Sequence, residues 1–133
     1  MLDEIGTYLA ANGIGTVGTN LFKGFMPDLP DAVVVLYETG GLAPYRAMRS
    51  APGQPVATRP RLQVVCRNTQ YEYAVARAKA QAVYVLLEGF GDQTLSGTRY
   101  LWIAAVQEPF MMGRDVTGRV QVAQNFDVVK EIS

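Results

Sequence analysis

The 133-residue chain contains no histidine and a single cysteine, Cys66, which removes most of the ways a small protein does chemistry. Without imidazole there is no Ser-His-Asp or Cys-His arrangement, no imidazole general base and no His-rich zinc site. One cysteine cannot build a thiolate cluster or an internal disulfide. Carboxylates remain: Glu38, Glu72, Glu88, Glu108 and Asp115 fall at helix caps, turns and strand ends. Acids are solvated in such places, whereas acid-base work needs them brought together in a shielded cleft. Cys66 alternates with Leu62 and Val64, which places it among core residues as a small buried hydrophobe. The expectation is a protein with no catalytic residue, no cofactor and no metal.

Gly13-Ile14-Gly15-Thr16-Val17-Gly18 matches the dinucleotide-binding pattern, with Glu38 after an apolar run. That fingerprint works only between a strand and a helix whose N-terminus holds the pyrophosphate. Here a helical pattern precedes it, and Gly24 and Pro27 leave no room for a helix after it. The segment reads as a turn. Arginines are the remaining candidates. Five of them, Arg46, Arg49, Arg59, Arg61 and Arg67, lie between Thr39 and Gln70 with no acid among them. Scattered surface arginines need no partner; the alternative is that Arg46, Arg49, Arg59 and Arg61 grip an acidic protein surface or face DNA. Tyr45 alone interleaves them, so the segment is not a single-strand binding platform.

The elements that would position these residues emerge from periodicity. Leu2, Ile5 and Leu9 predict a short helix over residues 2–12, stopped by Gly13. Residues 19–25 read as a short strand, broken by Pro27-Asp28-Leu29-Pro30-Asp31 before a buried strand over 32–37. Residues 39–59 hold three glycines and three prolines without periodicity, which predicts a loop of about twenty residues. A strand over 61–67 comes next. Thr69-Gln70-Tyr71-Glu72 has the pattern of a capping box, opening a helix to about Glu88 that Gly89 stops. The remainder reads as a turn at Gly91-Asp92, a strand over 99–107, a loop from Pro109 to Asp115, and a last strand over 119–129 with Val120, Val122, Phe126 and Val128 on one face. The class is α+β: one domain over 1–133, a mostly antiparallel sheet packed by two helices, with a long loop between strands.

At roughly 100° per residue, the second helix carries two apolar stripes. Tyr71, Val75, Ala78, Ala82, Val85 and Leu86 form one; Tyr73, Ala76, Ala80, Val83, Tyr84 and Leu87 form the other. A helix apolar on both sides is buried on both sides. Either the first helix or the long loop covers the second stripe, or a neighbouring copy does, with Tyr73, Ala76, Ala80, Val83, Tyr84 and Leu87 as the subunit interface.

Composition fits a folded soluble chain: 49% hydrophobic, 18% charged, with twelve basic residues against twelve acidic. No global field draws it onto nucleic acid or an anionic membrane. The longest apolar run, 32–37, is far below the roughly 20 residues of a membrane span. With no signal peptide at its start, a reducing cytoplasm fits.

The residues also carry a family resemblance. Leu21-Phe22-Lys23-Gly24-Phe25-Met26-Pro27-Asp28-Leu29-Pro30-Asp31, the run 33–36, and Tyr37-Glu38-Thr39-Gly40-Gly41 resemble the N-terminal half of the bacteriophage minor capsid or tail terminator proteins. Gln107-Glu108-Pro109-Phe110, Gly113-Arg114-Asp115, Gly118-Arg119 and Gln124-Asn125-Phe126-Asp127-Val128 resemble that family's closing hairpin. The resemblance covers most of the chain in turn and strand signatures, with no catalytic residue to carry over. It implies a virion protein of a long-tailed phage, assembled in the host cytoplasm. Its place would be the head-tail junction, as a ring, usually hexameric, on the finished tail tube. Such a ring stops tube growth and meets the head connector, while DNA passes through it without sequence-specific binding. A head-to-tail joining or neck protein, or a small cellular protein-binding domain, are the alternatives.

Overall fold

A computed structural model of the chain describes residues 1–47, 52 and 56–131. Helix α1 (Leu2–Ala11) buries Ile5 and Leu9 completely. It ends where Gly13 takes φ +82°. There the Ile14 amide donates to the Leu9 carbonyl and the Gly13 amide to Ala10, both at 3.1 Å. This left-handed stop satisfies two carbonyls that the helix leaves open. The first glycine of the apparent nucleotide fingerprint is therefore the left-handed residue that follows the helix C-cap Asn12, and the chain leads from it into strand β1 (Leu21–Lys23), not into a helix.

Strands β2 (Val33–Tyr45) and β3 (Ala57–Asn68) form a long antiparallel hairpin. The expected loop over 39–59 is thus strand at both ends, over 39–45 and 57–59. Glycine and proline hid its periodicity because they sit at register shifts, between Thr39 and Gly41 and between Leu42 and Tyr45. At Gly41 a Cβ would come within 2.5 Å of the Arg59 carbonyl oxygen, so only glycine fits there. Past Val34–Leu36, where β1 pairs in parallel, the outer edge of β2 has no strand partner among the described residues.

Helix α2 spans Tyr73–Leu87. The expected capping box is not formed: Glu72 is the N-cap and makes no side-chain capping bond, while the Thr69 amide is held by the Asn68 side chain at 2.8 Å. Two strands appear where a turn and a loop were expected. In β4 (Phe90–Leu95), Gly91 and Asp92 lie within the strand. The reversal comes later, at Ser96 and Gly97, with φ +49° and +88°, a two-residue connection whose twist matches the strands it joins to β5 (Thr98–Ala105). β6 (Phe110–Arg114) pairs with β7 (Val120–Glu131).

The sheet has seven strands in the order β1-β2-β3-β7-β5-β4, with β6 alongside β7. It is mixed, mostly antiparallel and strongly curled, and the class is α+β. Both helices pack on its inner face. There Leu36, Leu62, Val64, Ile103, Val122 and Phe126 meet Ile5 and Leu9 of α1 and Ala76, Ala80, Val83 and Leu87 of α2. One polar group sits among them. Gln124 is wholly buried and donates from Nε2 to the Ala80 carbonyl at 2.8 Å, midway along α2.

Ala80 is fully buried and Ala82 exposed. Ala80→Glu forces an unpaired carboxylate into the core, and the expected loss is roughly 3–5 kcal/mol in urea unfolding. Ala82→Glu changes stability by less than about 0.5 kcal/mol. Equal effects would contradict this placement of α2.

Candidate assembly surfaces

The carboxylates do not converge. Glu38, Glu72 and Glu108 are exposed on different elements, and among the described residues no group of three or more His, Cys, Asp or Glu side chains could hold a metal. Burial pushes the Cys66 thiol up to about 12, against a weaker opposing pull from Lys79. It stays protonated and unreactive at neutral pH.

Asp115 serves the fold. Its carboxylate accepts from the Thr117 and Arg119 amides at 3.0 and 2.9 Å and from the Arg119 Nε at 2.7 Å. Arg119 then reaches Asp28 and Asp31 at 3.2 and 3.3 Å. Beside it, the buried Arg67 donates to the carbonyls of Asp28, Pro30 and Asp31 at 3.2, 2.7 and 3.0 Å. Two guanidiniums thus hold the 28–31 segment onto the end of β3, where fork geometry suits several carbonyls at once. A second polar anchor fastens α1: Glu4 accepts from Thr98 Oγ1, and from the Tyr100 hydroxyl at 2.6 Å. Burial would raise the Glu4 pKa, but these two hydrogen bonds, with the positive charges of the N-terminus and Lys130, outweigh it and the net shift is downward.

The arginines expected to act together are separated. Arg61 pairs with Asp127 across the sheet at 2.8 Å, and Arg67 is buried in the clamp on the 28–31 segment. Neither is a free cation. Arg59 lies over the Tyr45 ring, 4.2 Å from its centroid, and donates to the Ala43 carbonyl at 2.7 Å. Arg46 is exposed on the same hairpin. Arg49 lies outside the described residues. The basic segment is thereby reduced to the β2–β3 hairpin, whose β2 limb is exposed from Glu38 to Tyr45.

The two stripes of α2 face opposite environments. Ala76, Ala80, Val83 and Leu87 are buried against the protein's own sheet and are not available to a neighbour. Tyr84 is half-buried and Tyr73 exposed on the flank. The interface reading therefore moves to the opposite stripe. Val75 is 49% and Val85 70% exposed, and Ala74, Ala78 and Ala82 lie open between them. Sequence reasoning identified two stripes but had no signal for which faced inward, because both are built from alanine, valine and leucine. Three further exposed apolar residues, Trp102, Val106 and Phe110, escaped it. They lie on the sheet's other face and on a strand expected to be a loop.

Among the described residues no reactive groups converge, and apolar side chains are left uncovered on a helix and on a sheet face. The model of the bacteriophage tail terminator protein family matches residues 8–132, and the chain belongs to that family. It is a structural protein of a phage tail. Among solved structures, a chain of the virion of a native gene transfer agent particle shares the fold. Its TM-score is 0.63 at 19% identity, covering 86% of this chain and 81% of that one. No curated protein matches it.

The Asp115 turn makes a pH prediction. Burial alone would raise its pKa, yet the Arg119 and Thr117 hydrogen bonds outweigh that and hold it near about 2. A carboxyl held below its ordinary value of 3.8 stabilises the fold above that value and loses this contribution as pH falls toward 2. Asp115→Asn should therefore flatten the decline of thermal stability between about pH 4 and pH 2. A decline as steep as the wild type's would show that Asp115 does not carry it.

Proposed function

We propose that the protein is the tail terminator subunit itself: copies form a ring, hexameric on the family resemblance, that seats on the completed tail tube and ends its polymerisation. The ring's other side meets the head connector, and DNA passes through its centre without sequence-specific contacts. It does this as a structural part with no catalytic step. The observation that carries this reading is the outward half of α2, where exposed Val75 and Val85 stand among alanines and no charged side chain falls on the stripe. A helix face of that kind is normally covered, and its owner belongs to a family whose members work on tails. The gene transfer agent chain of the same fold sits in a virion, which agrees with a place in a phage-like particle.

The hairpin suits docking to a second protein. Arg46 and Arg59 give it positive charge with no acid between Thr39 and Gln70, and Arg59 is already fixed over Tyr45. An acidic rim on the tube or the connector is the partner chemistry it fits.

Negative-stain microscopy of tail tubes polymerised with and without the protein tests this reading. The expected result is rings on tube ends and tubes of uniform, arrested length. Tubes that keep growing in a stoichiometric excess of protein would refute it. In the same assay Arg46→Glu with Arg59→Glu should leave ring formation intact while weakening end binding, most visibly at low salt, where exposed charges count most.

A further inference from the structure

The chain has four asparagines, and only Asn12 is followed by glycine. That pair carries a latent reaction. A glycine nitrogen, unhindered by any side chain on its own residue, can attack the side-chain carbonyl carbon of a preceding asparagine and close a five-membered imide. The Gly13 nitrogen forms a bond to Asn12 Cγ and gives up its proton; the Cγ–Nδ2 bond breaks and ammonia leaves with that proton. Water then opens the imide at one carbonyl or the other, giving aspartate or isoaspartate. Nothing is oxidised or reduced, and water is the only co-reactant.

The fold restrains both partners in that step. Asn12 is the C-cap of α1 with ψ 15°, and at that angle the tetrahedral Cα turns Cβ, with Cγ beyond it, well away from the Gly13 nitrogen. Asn12 Nδ2 donates to the Tyr8 carbonyl at 2.8 Å, which draws the side-chain amide back over the helix. The Gly13 amide donates to the Ala10 carbonyl at 3.1 Å. Both residues are exposed, so water and base reach them, and geometry alone withholds the reaction. The bonds that satisfy the open carbonyls of the helix end are the ones that keep nucleophile and carbon apart.

We infer that Asn12 is a deamidation site that the end of α1 keeps closed and that reacts when α1 lifts from the sheet. Buried Ile5 and Leu9 hold the helix down, together with the Lys23–Asp3 ion pair and the bonds from Tyr100 and Thr98 to Glu4. A ten-residue helix is too short to persist once detached, so lifting it unwinds the C-cap and frees the Asn12 ψ angle. Local opening of such an edge element costs less than unfolding the sheet beneath it. Deamidation also runs one way. Aspartate at position 12 has no donor for Tyr8 and puts negative charge at a helix C-terminus with no basic residue in its last turn. Isoaspartate lengthens the backbone by one carbon at the stop. Either product leaves α1 less firmly seated, so the site records how often α1 has opened.

Peptide mapping by mass spectrometry, with aspartate and isoaspartate at position 12 quantified over time in slightly alkaline buffer, tests this. The folded wild type is expected to deamidate at least about tenfold more slowly than the same chain in denaturing urea. Tyr100→Phe removes one bond to Glu4 and should speed the folded reaction several-fold; Thr98→Val takes its place if Tyr100→Phe loses the native circular dichroism spectrum. Val83→Ala weakens the fold through α2 and should leave the folded rate within about twofold of the wild type's, because opening at α1 is local. Equal rates in buffer and urea would show that the helix end gives no protection. No product at position 12 in urea would remove the site altogether. An unchanged rate in the Glu4-bond variant, or a Val83→Ala rate raised as much as that variant's, would overturn gating by α1.

Discussion

Strand β7 is hydrogen-bonded along both edges: β3 runs beside it from Asn68 to Ala57, while β6 and then β5 occupy the other edge end to end. Its inward residues Val120, Val122, Phe126 and Val128 are wholly buried, and between them Gln124 reaches up to the middle of α2. A twelve-residue strand with partners on both sides and a helix above it fixes the register of the rest. A slip of one residue would turn four apolar side chains outward and carry Gln124 away from Ala80. A buried amide bonded to a helix carbonyl is a directional constraint that apolar packing alone does not supply, so it sets where α2 sits along the sheet as well as how deeply.

Fixing α2 there decides which of its faces stays wet. Ala76, Ala80, Val83 and Leu87 are consumed by the core, and both helices lie on that one side. The outer face has no helix. Its lower end is covered by the 28–31 segment, whose carbonyls would cost about 1–3 kcal/mol each if buried without donors, and Arg67 supplies those donors. Trp102, opposite Val129 toward the other end of β7, stays exposed. A sheet with both helices on one face leaves two surfaces for other molecules, and the polar clamp determines how much of the second one remains.

Much of this was legible in the residues. Apolar alternation in 61–67 and 119–129 identified the two central strands and their buried face, because a half-buried strand must alternate. The stop at Gly13 was legible because a left-handed residue at a helix end favours glycine. The elements that escaped were interrupted by glycine or proline, or depended on distant contacts. β4 was hidden because Gly91-Asp92 has the look of a turn, and only its pairing with β5 holds it as a strand. β6, with Met111, Met112 and Gly113, lacks any clean period and exists through β7. The pairing of Arg61 with Asp127 joins residues 66 positions apart, and no local pattern reports it. The choice between the two stripes of α2 likewise belongs to the tertiary structure.

Turning the expected loop into a hairpin changes the physics of any contact it makes. A twenty-residue loop would lose backbone freedom on binding, at about 1–2 kcal/mol for each residue ordered. Paired as β2 and β3, residues 39–45 and 57–59 of that segment are ordered before a partner arrives. Arg59 is held against Tyr45 and the Ala43 carbonyl, so its guanidinium position is set by the neighbouring strand β2. Glycine and proline at the register shifts also protect the hairpin's open edge, since bulges and a missing amide at Pro44 spoil the regular ladder that a stray strand would need. The same residues that disguised the element in the sequence therefore let it stay exposed without indiscriminate pairing, and leave side-chain charge as the part that selects what it touches.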